Sequence, residues 1–162
     1  MKKKRIIAIA ILTASIALIG AAMIGYMVNT TKVEHTNDTQ LAYIKKEAGL
    51  SDIKKEDGVV NIYMFWGNGC PHCEAQWENI EALREEYPND FKVYGFELWY
   101  HKDNMEILNI FAEAVGDEPV DAVPYTIIGD KSYSGAMTKE ELVRAIKNNK
   151  NKNNDVYFNK IK

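Results

Sequence analysis

The only two cysteines in this chain of 162 residues, Cys70 and Cys73, flank Pro71 and His72 in the stretch GNGCPHCEAQW. Such a pair can hold a metal, staple a loop or exchange electrons. A structural zinc site wants four ligands, and two thiolates supply half of them. The histidines, His35, His72 and His101, offer no second ligand pair at a matching spacing, so no metal site is expected. Covalent haem attachment needs a histidine directly after the second cysteine, where this chain has Glu74. A disulfide closing so small a loop would add little stability, because loop-closure stabilisation grows with loop length. Electron exchange has a basis in position. If a helix starts at about Pro71, Cys70 lies at its N-terminal end, where unpaired N–H groups and the helix dipole favour an anion. His72, when protonated, adds a cation or donor near that sulfur. Cys73, one turn in and on the apolar face, is shielded. Cys70 would attack a substrate disulfide, and Cys73 would break the resulting mixed disulfide; run backwards, the same steps oxidise a substrate dithiol.

The elements that must hold this pair are legible on either side of it. VVNIYMFW, residues 59–66, is apolar at nearly every position and dense in β-branched and aromatic side chains, which suits a central strand buried on both faces. After the cysteines, Cys73, Trp77, Ile80, Leu83 and Tyr87 recur every three or four residues along a helix. Pro71 fits its first turn, where a missing N–H costs nothing, and Pro88 closes it. Residues 91–99, FKVYGFELW, predict a second strand, and 105–115 a helix whose apolar face is Ile107, Leu108, Phe111 and Val115. Two short strands, 125–128 and 131–133, are joined by a Gly129-Asp130 turn. Thr138 and Glu141 form a capping box that opens a last helix burying Leu142, Val143 and Ile146. A short helix over 38–48, ended by Gly49, precedes the first strand. Strand, helix, strand implies a parallel pair with a crossover, and the hairpin adds antiparallel strands, giving an α/β sandwich with a mixed sheet. The domain is predicted to span 38–149. The Asn- and Lys-rich tail, 150–162, is predicted to fray, with no place assigned to Val156, Tyr157 and Phe158. No internal repeat is present.

With 46% hydrophobic and 10% aromatic residues the chain can bury one ordinary core and is not a disordered sequence. A formal charge of −3, with no arginine-rich run and no Gly-rich phosphate loop, excludes nucleic-acid and nucleotide binding. Lys2, Lys3, Lys4 and Arg5 precede an uncharged, mostly apolar run over 6–28. At helical rise this run reaches roughly 34 Å, enough to cross a bilayer core of about 30 Å. An uncleaved anchor is favoured over a removed signal, although small residues at Ala17, Gly20, Ala21, Ala22 and Gly25 leave cleavage open. No cysteine lies in this region, which excludes a lipid-modified N-terminus. The positive-inside rule keeps the basic cluster in the cytoplasm and places everything after Val28 outside, where disulfides persist. Residues 1–28 are therefore expected to form a single-pass signal-anchor helix in the cell membrane, with 29–37 a polar linker.

C-P-H-C at a strand-to-helix junction, followed by Val123-Pro124 before a hairpin and a closing helix, resembles the thioredoxin superfamily over roughly 59–148. The resemblance implies a thioredoxin-like three-layer sandwich and no cofactor beyond the Cys70–Cys73 disulfide itself. It also implies a cis Pro124 lying against the cysteines, with the Val123 backbone available to pair with a bound peptide. Trp66 matches the family's aromatic residue four positions before the first cysteine and would be a core anchor or a functional residue; Trp77 reads as core. The pattern departs in two places. The carboxylate that many relatives bury six positions before the first cysteine is Met64 here, leaving water, His72 or an acid such as Glu97 to handle the resolving proton. The stretch between Trp99 and Pro124 has room for one helix, far less than the inserted helical domain of DsbA-type oxidases, although Pro71-His72 is the DsbA-type dipeptide.

Thioredoxin poises near about −270 mV and DsbA near about −120 mV, and a more stable thiolate makes the disulfide a better oxidant. His72 therefore tilts the pair toward dithiol oxidation. The acids between residues 74 and 121 heavily outnumber Arg84, Lys92 and Lys102 and oppose that tilt, Glu74 above all. The sequence thus points to a membrane-anchored, extracytoplasmic thiol–disulfide oxidoreductase. It would act on cysteine-containing exported proteins, with oxidation or isomerisation preferred over reduction, and would work with a membrane redox partner. Two alternatives stay open: a tethered reductase of exported thiols fed by the membrane, and a non-catalytic accessory or binding protein in which the cysteines form a static bond.

Overall fold

β1 (Val60–Trp66) is buried along its whole length, and the reason is visible in its alternation. Ile62, Met64 and Trp66 face one core; Tyr63 and Phe65 face the other. A strand with two apolar faces needs a cover on each. The first cover is α1 (Pro71–Glu86) with α3 (Lys139–Asn149), which bring Trp77, Ile80, Leu83, Leu142 and Ile146 onto one side. The second is α2 (Asn104–Val115) with the C-terminal segment, which bring Leu108, Phe111 and Tyr157 onto the other. The sheet between them runs β2-β1-β3-β4, with β2 (Phe91–Glu97) parallel to β1 and β3 (Tyr125–Ile128) antiparallel to it. β4 (Lys131–Ser134) closes the hairpin. This is the expected thioredoxin-like three-layer arrangement around a mixed sheet.

The computed structural model describes residues 48–162. The expected anchor at 1–28, the linker at 29–37 and all but the last residue of the helix expected at 38–48 lie outside them. Among the described residues no helix is long and apolar enough to cross a membrane. The capping box of α3 forms as its residues require: the Glu141 N–H donates to Thr138 Oγ1 at 3.3 Å, and the Thr138 N–H donates to Glu141 Oε2 at 2.8 Å.

Two expectations need correction. The second strand stops at Glu97, not at Trp99. Glu97 turns its carboxylate onto the N–H groups of Trp99, Tyr100 and His101, and these donors are lost to any ladder. The second correction concerns the tail, which does not fray. Val156 and Tyr157 are buried, a short π-helical turn runs over Tyr157–Ile161, and Tyr157 stacks on Phe111 with ring centroids 6.1 Å apart. Asp155 anchors the segment: it accepts from Tyr63 Oη at 2.8 Å and from Asn61 Nδ2 at 2.9 Å, both on β1. Burial, with Asp155 beside it, pushes the Tyr63 hydroxyl well above the ordinary phenol range, so it stays a donor. The folded domain therefore continues past 149 to the C-terminal turn.

Removing Asp155 takes away the acceptor of the buried Tyr63 hydroxyl and one of the three acceptors of Asn61 Nδ2. Asp155→Ala is expected to lower the unfolding free energy by about 1–3 kcal/mol, read from urea unfolding of the full chain. An unchanged midpoint would mean that the tail contributes nothing to the domain.

Candidate functional site

β1 ends at Trp66 and α1 begins at Pro71, so residues 67–70 must reverse the chain within one tight connection. Two glycines make this possible. Gly69 has φ +90°, a left-handed value that glycine adopts without steric cost. Gly67 lies under the Trp99 indole so closely that a Cβ there would sit 2.3 Å from the ring. The turn closes when the Cys70 N–H donates to the Gly67 carbonyl at 3.1 Å.

Cys70 is the N-cap residue of α1, and Pro71 occupies the first turn as expected. The Cys70 sulfur accepts the Cys73 N–H at 3.3 Å, which satisfies one of the open donors at a helix start. Both cysteines are unbonded thiols. Cys70 keeps 6% of its surface exposed, whereas Cys73 keeps none. Burial pushes the Cys73 thiol up to about 12; its hydrogen bond with Cys70 adds to this, and a backbone hydrogen bond from Gly67 works against it. His72 is exposed in the first turn of α1 beside Cys70.

The Val123-Pro124 bond is cis. The Cys70 thiol faces the Val123 carbonyl at 3.8 Å, which brings this pair against the cysteines from a point 53 residues further along the chain. Of the residues singled out from sequence, Cys70, Pro71, His72, Cys73, Val123 and Pro124 thus converge on one end of the sheet. Trp66 is a core residue: it is buried and packs edge-on against Trp77, with ring centroids 5.8 Å apart. Met64 is fully buried in the same apolar cluster as both cysteines, so the place of the family's carboxylate is hydrocarbon.

Glu97, the register partner of Trp66, is buried at the end of β2. Its Oε1 accepts the N–H groups of Asn68 and Trp99, each at 3.0 Å. Its Oε2 accepts those of Tyr100 at 2.8 Å and His101 at 3.1 Å. Burial pushes this carboxyl up, but the four backbone donors outweigh it and hold the group below the ordinary carboxylate range. A carboxylate held charged in this way is a poor proton acceptor.

Gln76 is a buried polar residue that escaped the sequence analysis. It donates from Nε2 to Thr126 Oγ1 at 2.6 Å and accepts the Met137 N–H at 3.1 Å, joining α1 to the strand that follows Pro124. Its spacing from Cys73 and Ile80 places it on the helix's apolar face, where a polar residue signals a buried hydrogen-bond partner. Among the described residues no group of three histidines, cysteines or acids could hold a metal ion.

No protein-family model matches the chain. Over 91 residues it is 33% identical to a thioredoxin of Methanocaldococcus jannaschii, an alignment that takes in 54% of this chain and 93% of that protein. The chain belongs to the thioredoxin superfamily. Solved structures similar to this thioredoxin-like domain include a thioredoxin-like protein from Clostridium perfringens, at 21% identity and a TM-score of 0.45 over 57% of this chain and 72% of that one. Another is a DsbF homologue from Corynebacterium diphtheriae, at 19% identity and a TM-score of 0.44 over 62% and 76%.

The contrast between the two thiols gives a direct expectation. In Cys70→Ser, where Cys73 is the remaining thiol, alkylation by iodoacetamide should be slow at pH 8 and should still be rising above pH 10, because a raised thiol yields thiolate only at high pH. A plateau below pH 9 would show that Cys73 is not held protonated by burial.

Proposed function

We propose that this protein is a membrane-tethered, extracytoplasmic thiol–disulfide oxidoreductase that acts on cysteine-containing exported proteins, with oxidation or isomerisation preferred over reduction. The observation that carries the chemistry is the asymmetric pair. Cys70 caps a helix with 6% of its surface exposed and its sulfur facing the Val123 carbonyl before the cis Pro124, and Cys73 is fully buried one turn behind it. The thioredoxin fold itself points to thiol–disulfide exchange.

In the oxidising direction, a substrate thiolate attacks Cys70 Sγ of the Cys70–Cys73 disulfide. The S–S bond breaks, and Cys73 leaves as a thiolate that burial drives to take up a proton. A second substrate thiolate then attacks the substrate sulfur of the mixed disulfide, which releases Cys70 and closes the substrate's own disulfide. Two electrons and two protons have passed to the cysteine pair, and a membrane redox partner must take them away. The oxidising preference rests on Pro71-His72, the DsbA-type dipeptide, which lies in the first turn of α1 with His72 exposed. The membrane assignment rests on the basic cluster Lys2–Arg5 and the apolar run over 6–28.

In Cys73→Ser, mixed disulfides with client proteins should accumulate on Cys70 and run as extra bands on non-reducing gels. Cys70→Ser should trap none. Trapping by Cys70→Ser in place of Cys73→Ser would reverse the two roles, and trapping by neither would leave a static pair.

A further inference from the structure

Glu97 sits at the C-terminal end of β2, next to Trp66 in the parallel register, and so beside the point where β1 gives way to the redox loop. Four backbone N–H groups from two separate loops converge on its carboxylate: Asn68 from the loop that leads into Cys70, and Trp99, Tyr100 and His101 from the loop after β2. A carboxylate is acceptor-only on both oxygens, so it can receive all four, whereas the isosteric amide of glutamine can receive on one oxygen alone. The second loop also reaches back. The Trp99 indole lies over Gly67, where no side chain would fit. Gly67 and Asn68 are therefore gripped from two sides, and Asn104 braces the strand end by donating to the Glu97 carbonyl at 2.8 Å. Gly67 matters because its carbonyl accepts the Cys70 N–H at 3.1 Å, closing the turn on which the Cys70 sulfur meets the Cys73 N–H at 3.3 Å. The titratable groups acting on the Cys73 sulfur, Cys70 and Glu74, belong to α1 itself.

We propose that Glu97 is a positioning residue for the resolving thiol: by clamping the 67–69 loop to the 98–101 loop, it holds the turn that seats the Cys70 sulfur on the Cys73 N–H and keeps the Cys73 sulfur closed to solvent. This rests on the reading of Cys70 and Cys73 as a redox pair. It assigns Glu97 no contact with substrate and no proton to transfer. Its consequence is that Cys73 answers only the mixed disulfide formed beside it on Cys70, and stays out of reach of other thiols and alkylating agents.

The test uses the full chain in a Cys70→Ser background, so that iodoacetamide can label Cys73 alone. Glu97→Ala should raise the alkylation rate at pH 8 by about tenfold and bring the midpoint of the pH profile down toward an ordinary thiol, since burial is what holds it up. Glu97→Gln, which keeps the shape and half of the acceptors, should fall between Glu97→Ala and the parent. Asp155→Ala loosens the same domain from the opposite face and should leave the Cys73 profile unchanged. Glu97 variants with the parent's profile would overturn the clamp, as would an Asp155→Ala protein accelerated to the same degree, because general loosening would then explain both. The two failures are separable. If wild-type Cys70–Cys73 does not cycle reversibly between dithiol and disulfide, the functional reading falls; if it cycles while the Glu97 variants behave like the parent, only the clamp falls.

Discussion

Cys73 has no surface open to solvent, and it lies one helical turn behind a cysteine whose sulfur accepts its N–H. Much of the arrangement around it serves to make that burial possible. A sulfur in hydrocarbon resists ionisation, which separates the chemistry of two otherwise equivalent thiols. The enclosing groups come from distant parts of the chain. Met64 and Trp66 belong to β1, Trp77 and Ile80 to α1, and Met137 to the approach to α3. Because β1 is buried on both faces, its end is fixed by two cores at once, and the turn that launches α1 starts from a rigid point.

Polar connections do the rest of the positioning. Gln76 ties α1 to Thr126 and Met137. Glu97 ties the loop ahead of Cys70 to the loop after β2. Each is a buried side chain whose partners are mostly backbone or hydroxyl groups, and leaving such partners unmet costs more than the bonds gain when made. The interior at the redox end is thus apolar around the sulfurs and closely hydrogen-bonded one layer out. Met64 fits this division. A carboxylate in its place would sit in the apolar cluster itself, and the acid that is present, Glu97, has its oxygens occupied by backbone donors.

Much of this was legible in the residues. The nearly continuous apolar run over 59–66 marked a strand covered on both sides, and the recurrence of Cys73, Trp77, Ile80 and Leu83 set the face of α1. Thr138 and Glu141 marked the start of α3 through a local reciprocal bond. The cis geometry at Pro124 and its approach to Cys70 came only through resemblance to a family, since no local pattern encodes a contact 53 residues away. What stayed hidden was nonlocal in the same sense. Leu98 and Trp99 continue an apolar strand pattern, but the Glu97 side chain captures the next N–H groups and ends the strand. Val156 and Tyr157 sit in a polar tail without periodicity, and their anchor, Asp155, finds Tyr63 at a separation of 92 residues.

The equilibrium reduction potential of Cys70–Cys73 in the purified full-length chain, set with glutathione buffers and read by thiol alkylation, tests the central claim most directly. The account predicts a reversible two-electron couple lying closer to about −120 mV than to about −270 mV. A couple at about −270 mV or below would contradict the oxidising preference and make the protein a reductase, and a pair that the buffers cannot reduce and reoxidise would contradict the redox function altogether.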